Sequence, residues 1–258
     1  MLNLDTYAYA SPLRKRNPLE KLGFSLLTLG VCLWADWTIV SITVLAVMGW
    51  VSVRKGGTPF FVFIRLLAIP GSFLVPALLT LVLELTKDPR DLAFAVPFFH
   101  SYLGLTKAGC ADAVRLFWKS MGAASCLYFI ALTTPFIQIP AALRRVKCPE
   151  LLIELTDLMY RFIFILIETA RQMVVAQSSR LGYVSLASGY RSLGALGSTL
   201  FIRAYRRANE LFVALESRGY EDKLKTLPET YPGDGNGYRL SILFNGLLVV
   251  ATLLFKRH

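Results

Sequence analysis

The apolar positions of this chain fall into long blocks. Trp37–Val53, Leu66–Leu83 and Ser120–Leu143 each run without a charged residue. A helix crosses a bilayer with roughly 17–25 apolar residues, so each block is long enough to span. Gly23–Trp34 and Leu240–Phe255 are shorter. The first extends through Leu19–Leu22 if Lys21 reaches back to the interface. The second lies between Tyr238 and Lys256-Arg257, residue types that anchor at membrane surfaces. The pattern predicts an all-α polytopic membrane protein with about five transmembrane helices.

After residue 148 the pattern changes. From Pro149, a suitable first helical residue, to Arg180, the polar residues Glu154, Asp157, Arg161, Glu168, Arg171 and Gln172 recur at helical spacing as one stripe. A helix with one wet or protein-facing side carries such a stripe; a lipid-surrounded span does not. A second helix is predicted from about Tyr190 to Arg218. Phe201, Ala204, Tyr205, Ala208, Leu211, Phe212 and Leu215 form its apolar face, opposite Arg203, Arg206, Arg207 and Glu210. Three parts follow: a membrane domain over 1–148 with four spans, a two-helix module over 149–222, and a loop with the final span over 223–258.

Breaks punctuate the chain. Residues 1–18 are expected to be interfacial or disordered. Gly56-Gly57-Thr58-Pro59 separates the second and third spans. Pro70 and Pro76 predict a kink in the third span, which membrane helices tolerate. Lys87-Asp88-Pro89-Arg90 and residues 228–238 read as loops. Residues 91–108, interrupted by Pro97 and Gly104, read as a re-entrant or surface-lying segment.

Composition supports the membrane reading. The chain has 258 residues, 55% hydrophobic and 17% charged, and its mean hydropathy is +0.52. A soluble domain carries about 25% charged residues. The net charge of +11 would suggest nucleic acid in a soluble chain. Here the cations sit between spans, and the positive-inside rule accounts for them. Arg14-Lys15-Arg16, Arg54-Lys55 and Arg144-Arg145-Lys147 are then cytoplasmic, as is the 149–222 module. Lys256-Arg257 pull against the outward carboxyl terminus that this topology implies. The basic amino terminus followed by an apolar run imitates a signal peptide, but no small-residue cleavage site follows, so a retained first helix is expected.

Little in the chain suggests catalysis. Cys32, Cys110, Cys126 and Cys148 form no metal-ligand spacing, and buried packing explains them. His100 and His258 have no partners that would make a zinc site or a catalytic triad. No phosphate-cradling Gly-x-x-x-x-Gly-Lys-Ser/Thr occurs. Arg65, Glu84, Arg115 and Lys119 lie near the ends of apolar windows, and Asn245 suits an interhelical hydrogen bond. A membrane-embedded enzyme would need convergent acids, bases or ligands. A stand-alone secondary transporter or channel would need polar mid-membrane groups and a repeated architecture.

One short sequence does repeat: Ser179-Arg180-Leu181-Gly182-Tyr183 and Ser217-Arg218-Gly219-Tyr220. Each closes a predicted helix. Glycine after a helix supplies a left-handed cap, and a terminal cation offsets the helix dipole by about 0.3–1 kcal/mol. Capping is the plain reading. The tandem occurrence on the basic module favours a second one, in which two cationic helix ends insert into grooves on a soluble partner. Arginine suits that role through bidentate pairing with carboxylates.

On these residues the stretch from Pro149 to Tyr220, with Glu216-Ser217-Arg218-Gly219-Tyr220 as its most specific part, resembles the transmembrane component of energy-coupling-factor transporters, the CbiQ type of cobalt uptake systems above all. The family carries two Ala-Arg-Gly-like signatures. Serine stands for alanine in both copies here, and Leu181 separates arginine from glycine in the first. The resemblance implies an L-shaped molecule whose two long amphipathic helices are coupling helices. It implies a non-catalytic subunit of an ABC-type transporter that binds no metal or cofactor. ATP and magnesium would belong to two ATP-binding-cassette ATPase subunits docked at Ser179, Arg180, Gly182, Ser217, Arg218 and Gly219. The face Phe201, Tyr205, Ala208, Phe212 and Leu215 would pack on the other coupling helix or on a substrate-binding membrane subunit of CbiM type, with a small CbiN-like subunit as a further member. The multi-pass chain would contact membrane lipid in a bacterial inner membrane and no nucleic acid.

Overall fold

The computed structural model describes residues 4–86, 92–98, 101–220 and 236–256. Lys87–Arg90, His100, Arg257 and His258, singled out above, lie outside them, as does most of the 228–238 loop. The chain divides into two compact units, residues 1–135 with 230–258, and residues 136–229.

The first unit holds α1 (Leu4–Ala10), α2 (Pro18–Trp34), α3 (Thr38–Trp50), α4 (Phe60–Val82), α5 (Lys107–Thr133) and α9 (Asn236–Lys256). Asn17 starts α2: its Oδ1 accepts from Leu19 N at 3.1 Å, with Pro18 next, the favoured order for a helix start. A π turn over Val51–Lys55 extends α3. Thr38–Lys55, Phe60–Val82 and Gly109–Thr133 are long and apolar enough to cross a membrane. The first two overlap the uncharged blocks Trp37–Val53 and Leu66–Leu83, whereas the third shares only residues 120–133 with Ser120–Leu143, whose last ten residues lie beyond the helix end. The 17 residues of α2 and the apolar stretch Gly237–Leu253 of α9 are shorter. Pro70 and Pro76 both remain inside α4.

Helix α5 is the hub, packed by α1, α2, α3 and α4. The main cluster joins Cys32 and Ala35, Val40, Val44 and Met48 of α3, Cys126 and Phe129 of α5, and Leu248 of α9. Small residues allow this approach. A Cβ on Gly122 would lie 2.9 Å from Cys32 Sγ and 3.0 Å from Ser41 O, the close packing that joins helices in lipid. Hydrogen bonds reinforce it: Ser25 Oγ donates to Cys126 O at 2.6 Å and Lys21 Nζ to Thr133 O at 2.8 Å. On α4 only Phe63 and Leu66 are buried; Phe60, Phe61 and Phe73 point outward.

Two sequence expectations need correction. Residues 4–15 are not disordered: α1 packs on α5, and Ser11 Oγ accepts from Leu13 N to open a 3-10 turn over Pro12–Lys15. Within the segment 91–108, expected as re-entrant or surface-lying and without regular structure, residues 92–98 and 101–106 are strands. β1 (Leu83–Thr86), β3 (Ser101–Thr106) and β2 (Leu92–Phe98) form a small antiparallel sheet in that order. Pro97, which cannot donate to a ladder, lies opposite Tyr102 on the edge strand β2, where proline is tolerated. The sheet is a local addition to a fold whose spanning and amphipathic elements are all helical.

The second unit contains α6 (Ile139–Arg145), α7 (Glu150–Ser179) and α8 (Leu186–Glu216). α7 runs 30 residues without a break. α8 begins four residues before the expected Tyr190, because Ser185 and Ser188 form a reciprocal capping box: Ser188 N donates to Ser185 Oγ at 3.2 Å and Ser185 N to Ser188 Oγ at 3.1 Å. Gly189, Gly194 and Gly197 lie in the first half of α8, and at Gly194 and Gly197 a Cβ would meet nothing within 4 Å.

Candidate docking surface: two matched helix ends

The two arginine-bearing ends share one backbone geometry. At the end of α7, Leu181 has a left-handed φ of 60°; its N–H donates to Ser178 O at 3.0 Å, and Gly182 N donates to Gln177 O at 2.8 Å. At the end of α8, Gly219 has φ 72°; its N–H donates to Glu216 O at 3.0 Å, and Tyr220 N donates to Leu215 O at 3.0 Å. These bond pairs define the Schellman motif. The serines match as well: Ser179 Oγ donates to Val175 O and Ser217 Oγ to Val213 O, each four residues back.

The shared geometry corrects the sequence alignment of the repeat. Leu181 is not an insertion between arginine and glycine. It occupies the left-handed position that Gly219 fills in the second copy, and Gly182 corresponds to Tyr220. A leucine in this conformation costs about 1–2 kcal/mol, which the hydrogen bonds around it must offset. The two glycines therefore serve different purposes. Gly219 supplies a backbone conformation, and a Cβ there would meet nothing within 4 Å. Gly182 supplies space, since a Cβ there would lie 2.7 Å from Ser192 Oγ and 2.8 Å from Gln177 O.

A polar network holds the first end. Ser192 Oγ donates to Gly182 O at 2.8 Å, Gln177 Nε2 to Ser192 O at 3.0 Å, and Tyr183 OH to Gln177 Oε1 at 2.7 Å. It ties the turn to both α7 and α8. The second end is tied to the far end of α7, where Tyr220 OH donates to Glu154 Oε2 at 2.8 Å. Glu154 is buried in this unit. The other members of the predicted polar stripe pair along the surface of α7, Arg161 with Asp157 at 3.9 Å and Arg171 with Glu168 at 4.0 Å.

Because Tyr220 meets Glu154, the α7 rise from Glu154 to Arg180 sets the spacing of the two ends. Twenty-six residues at 1.5 Å give about 39 Å. Arg180 and Arg218 are both exposed, and neither forms an ion pair among the described residues. Leu181, Val184, Leu186 and Tyr190 surround the first end with exposed apolar surface, Leu186 at 85%. On α8, Phe201, Tyr205, Ala208 and Phe212 are exposed and Leu215 is half-buried, so α7 does not cover this face. Among the described residues no group of three or more His, Cys, Asp or Glu could hold a metal ion.

Sequence reasoning located both arginines and missed the ties behind them. Tyr183 and Tyr220 were visible as the last residues of the repeat. Their partners Gln177 and Glu154 are not inferable from spacing, since each bond depends on how two helices meet.

A family model described as CbiQ, cobalt transport protein, matches residues 10–228. An uncharacterised protein of Methanocaldococcus jannaschii is 31% identical over 98% of this chain and 93% of its own length. The cobalt transport protein CbiQ of Salmonella typhimurium is 34% identical over 61% of this chain and 70% of its own. The energy-coupling factor transporter transmembrane protein EcfT of Heliobacterium modesticaldum is 28% identical over 95% and 94%. The matched residues take in both helix ends and the three helices long and apolar enough to span, and the chain belongs to the CbiQ family of cobalt transport proteins, membrane components of energy-coupling-factor transporters rather than catalytic enzymes.

Proposed function

We propose that this chain is the coupling subunit of an ATP-driven uptake transporter, with cobalt ions as the transported substrate. The carrying observation is the matched pair of exposed arginines on like helix ends about 39 Å apart. Two like sites at a fixed spacing suit two copies of one partner. Residues 149–222 form the coupling module, and each end enters a groove on one of two cytoplasmic ATP-binding-cassette ATPase subunits. Arg180 and Arg218 pair there with carboxylates, with Ser179, Gly182, Ser217 and Gly219 shaping the tips. A dry groove strengthens each bidentate pair. ATP and magnesium bind to the ATPases, and the missing phosphate-cradling motif fits that division.

The exposed face of Phe201, Tyr205, Ala208, Phe212 and Leu215 receives a substrate-binding membrane subunit of CbiM type, in a multi-pass assembly in the cytoplasmic membrane. A small CbiN-like subunit fits the same assembly. Motion of the ATPases on nucleotide binding passes through α7 and α8 to that subunit.

The test is co-purification of the tagged protein from its native membrane. An ATP-binding-cassette ATPase is expected in the eluate and is lost in Arg218→Glu, with membrane insertion unchanged. Arg180→Glu gives the same loss or uncouples hydrolysis from uptake. Normal ATPase recovery from Arg218→Glu would remove the docking role.

A further inference from the structure

A cavity of about 250 Å³ opens among α2, α3, α5 and α9 in the first unit. Its chemistry is divided. Phe24, Phe129 and Phe244 form one wall, with Phe24 edge-on to Phe129 at 5.8 Å and tilted on Phe244 at 6.0 Å. Arg16, Lys55 and Trp50 line another part, all three exposed. Lys55 Nζ lies 5.9 Å from the Trp50 ring centroid.

The rim cations are not neutralised from within. Arg16 and Lys55 form no ion pair among the described residues. The one acid of the lining, Glu20, is engaged elsewhere: its Oε2 lies where a Cβ on Gly237 would come within 2.5 Å, against the first turn of α9. That position offsets the positive end of a helix dipole. Lys21 is buried and bonded to Thr133 O. Ser241, only 5% exposed, also lines the cavity, and its Oγ, like the Oε1 atom of Glu20, accepts and donates no hydrogen bond among the described residues.

An apolar chamber with free cations and an aromatic residue at its mouth is complementary to an amphiphile with an anionic head. Arg16 and Lys55 belong to two of the basic clusters that the positive-inside rule places on the cytoplasmic side, where anionic lipid headgroups lie. We infer that this cavity is a binding site for an anionic phospholipid, whose phosphate sits between Arg16 and Lys55 and whose acyl chain lies against Phe24, Phe129 and Phe244. Ser241 Oγ donates to the buried ester or headgroup oxygens. The inference rests on the membrane reading alone and is independent of ATPase docking.

The probe is Trp50 fluorescence of the full chain in nanodiscs, with Trp50→Phe subtracted to isolate its signal. Brominated phosphatidylglycerol at a small mole fraction is compared with brominated phosphatidylcholine. A headgroup cation adds about fivefold in affinity, so Trp50 quenching should favour phosphatidylglycerol by roughly tenfold or more. Arg16→Gln with Lys55→Gln should bring it to the phosphatidylcholine level. Excess glycerol phosphate, which has no acyl chain, should not relieve the quenching; relief would mean a free-phosphate site and overturn the lipid assignment. Equal quenching by the two lipids in the unaltered protein would overturn it as well, without reliance on any variant. Arg180→Glu should leave the preference intact, which separates this result from failure of the docking reading.

Discussion

Gly182 and Gly219 close two helix ends with one hydrogen-bond pattern, and asparagine separates their roles. Asparagine tolerates the left-handed conformation better than other non-glycine residues. At Gly219, with φ 72° and open space within 4 Å of where a Cβ would stand, alanine meets only backbone strain. That strain costs about 1–2 kcal/mol, and asparagine should cost about half as much. At Gly182 the order reverses. Any Cβ approaches Gln177 O and Ser192 Oγ below 3 Å. Ser192 can rotate away only by giving up its bond to Gly182 O, worth about 1 kcal/mol, while Gln177 O is backbone and must move with the turn. Alanine should cost about 2–3 kcal/mol there, and the larger asparagine at least as much. Native-state hydrogen exchange of the two reporting amides measures this directly. Tyr220 N and Gly182 N should each lose about tenfold in protection per 1.4 kcal/mol. Gly219→Asn should therefore exchange more slowly at Tyr220 than Gly219→Ala. Gly182→Asn should exchange at residue 182 at least as fast as Gly182→Ala. If asparagine rescues both positions, or neither, the division between conformation and space is wrong.

Other predictions address the ties and the packing. Tyr220→Phe removes the hydroxyl from Glu154 at a cost of about 1.5 kcal/mol; pulsed electron paramagnetic resonance between spin labels at Ser179 and Ser217 should show a distribution near ~40 Å that broadens in the variant, and an unchanged width would refute the tie. Gly122→Leu should lower the thermal stability of the detergent-solubilised protein by several degrees, because overpacking costs about 1–3 kcal/mol. Ser25→Ala, losing one interhelical hydrogen bond, should cost only about 0.6 kcal/mol, and a larger loss than Gly122→Leu would invert the assigned importance of packing and polar contacts.

The legibility of the sequence follows from the range of the interactions involved. Charge-free blocks mark α3, α4 and α5 because lipid imposes a length and a polarity on each span separately. The unbroken α7 is equally local, carried by the three- and four-residue recurrence from Glu154 to Gln172. The start of α8 was missed by a few residues because Ser185 and Ser188 form a capping box without the usual acidic partner. The sheet over 83–106 was missed because strand pairing joins residues far apart in sequence, such as Leu83 with Leu105, and Pro97 and Gly104 argued against regular structure. At the helix ends the arginines were legible from the repeat. The equivalence of Leu181 with Gly219 was not, because a left-handed leucine contradicts local preference and persists only through the surrounding hydrogen bonds.

The pair α7 and α8 is joined at both extremities, by the Gln177–Ser192 network at one and the Tyr220–Glu154 bond at the other. Mechanically this is a closed frame, and its two corners cannot approach without deforming one side. The sides differ in stiffness. α7 has no glycine, whereas Gly189, Gly194 and Gly197 occupy the first half of α8, at a cost of about 1 kcal/mol each in helical stability relative to alanine. A load applied across the corners is carried by α7 as a strut and taken up as bending where the glycines lie, beside the first corner rather than the second. Two partners pressing with equal force would then move the corners by unequal amounts.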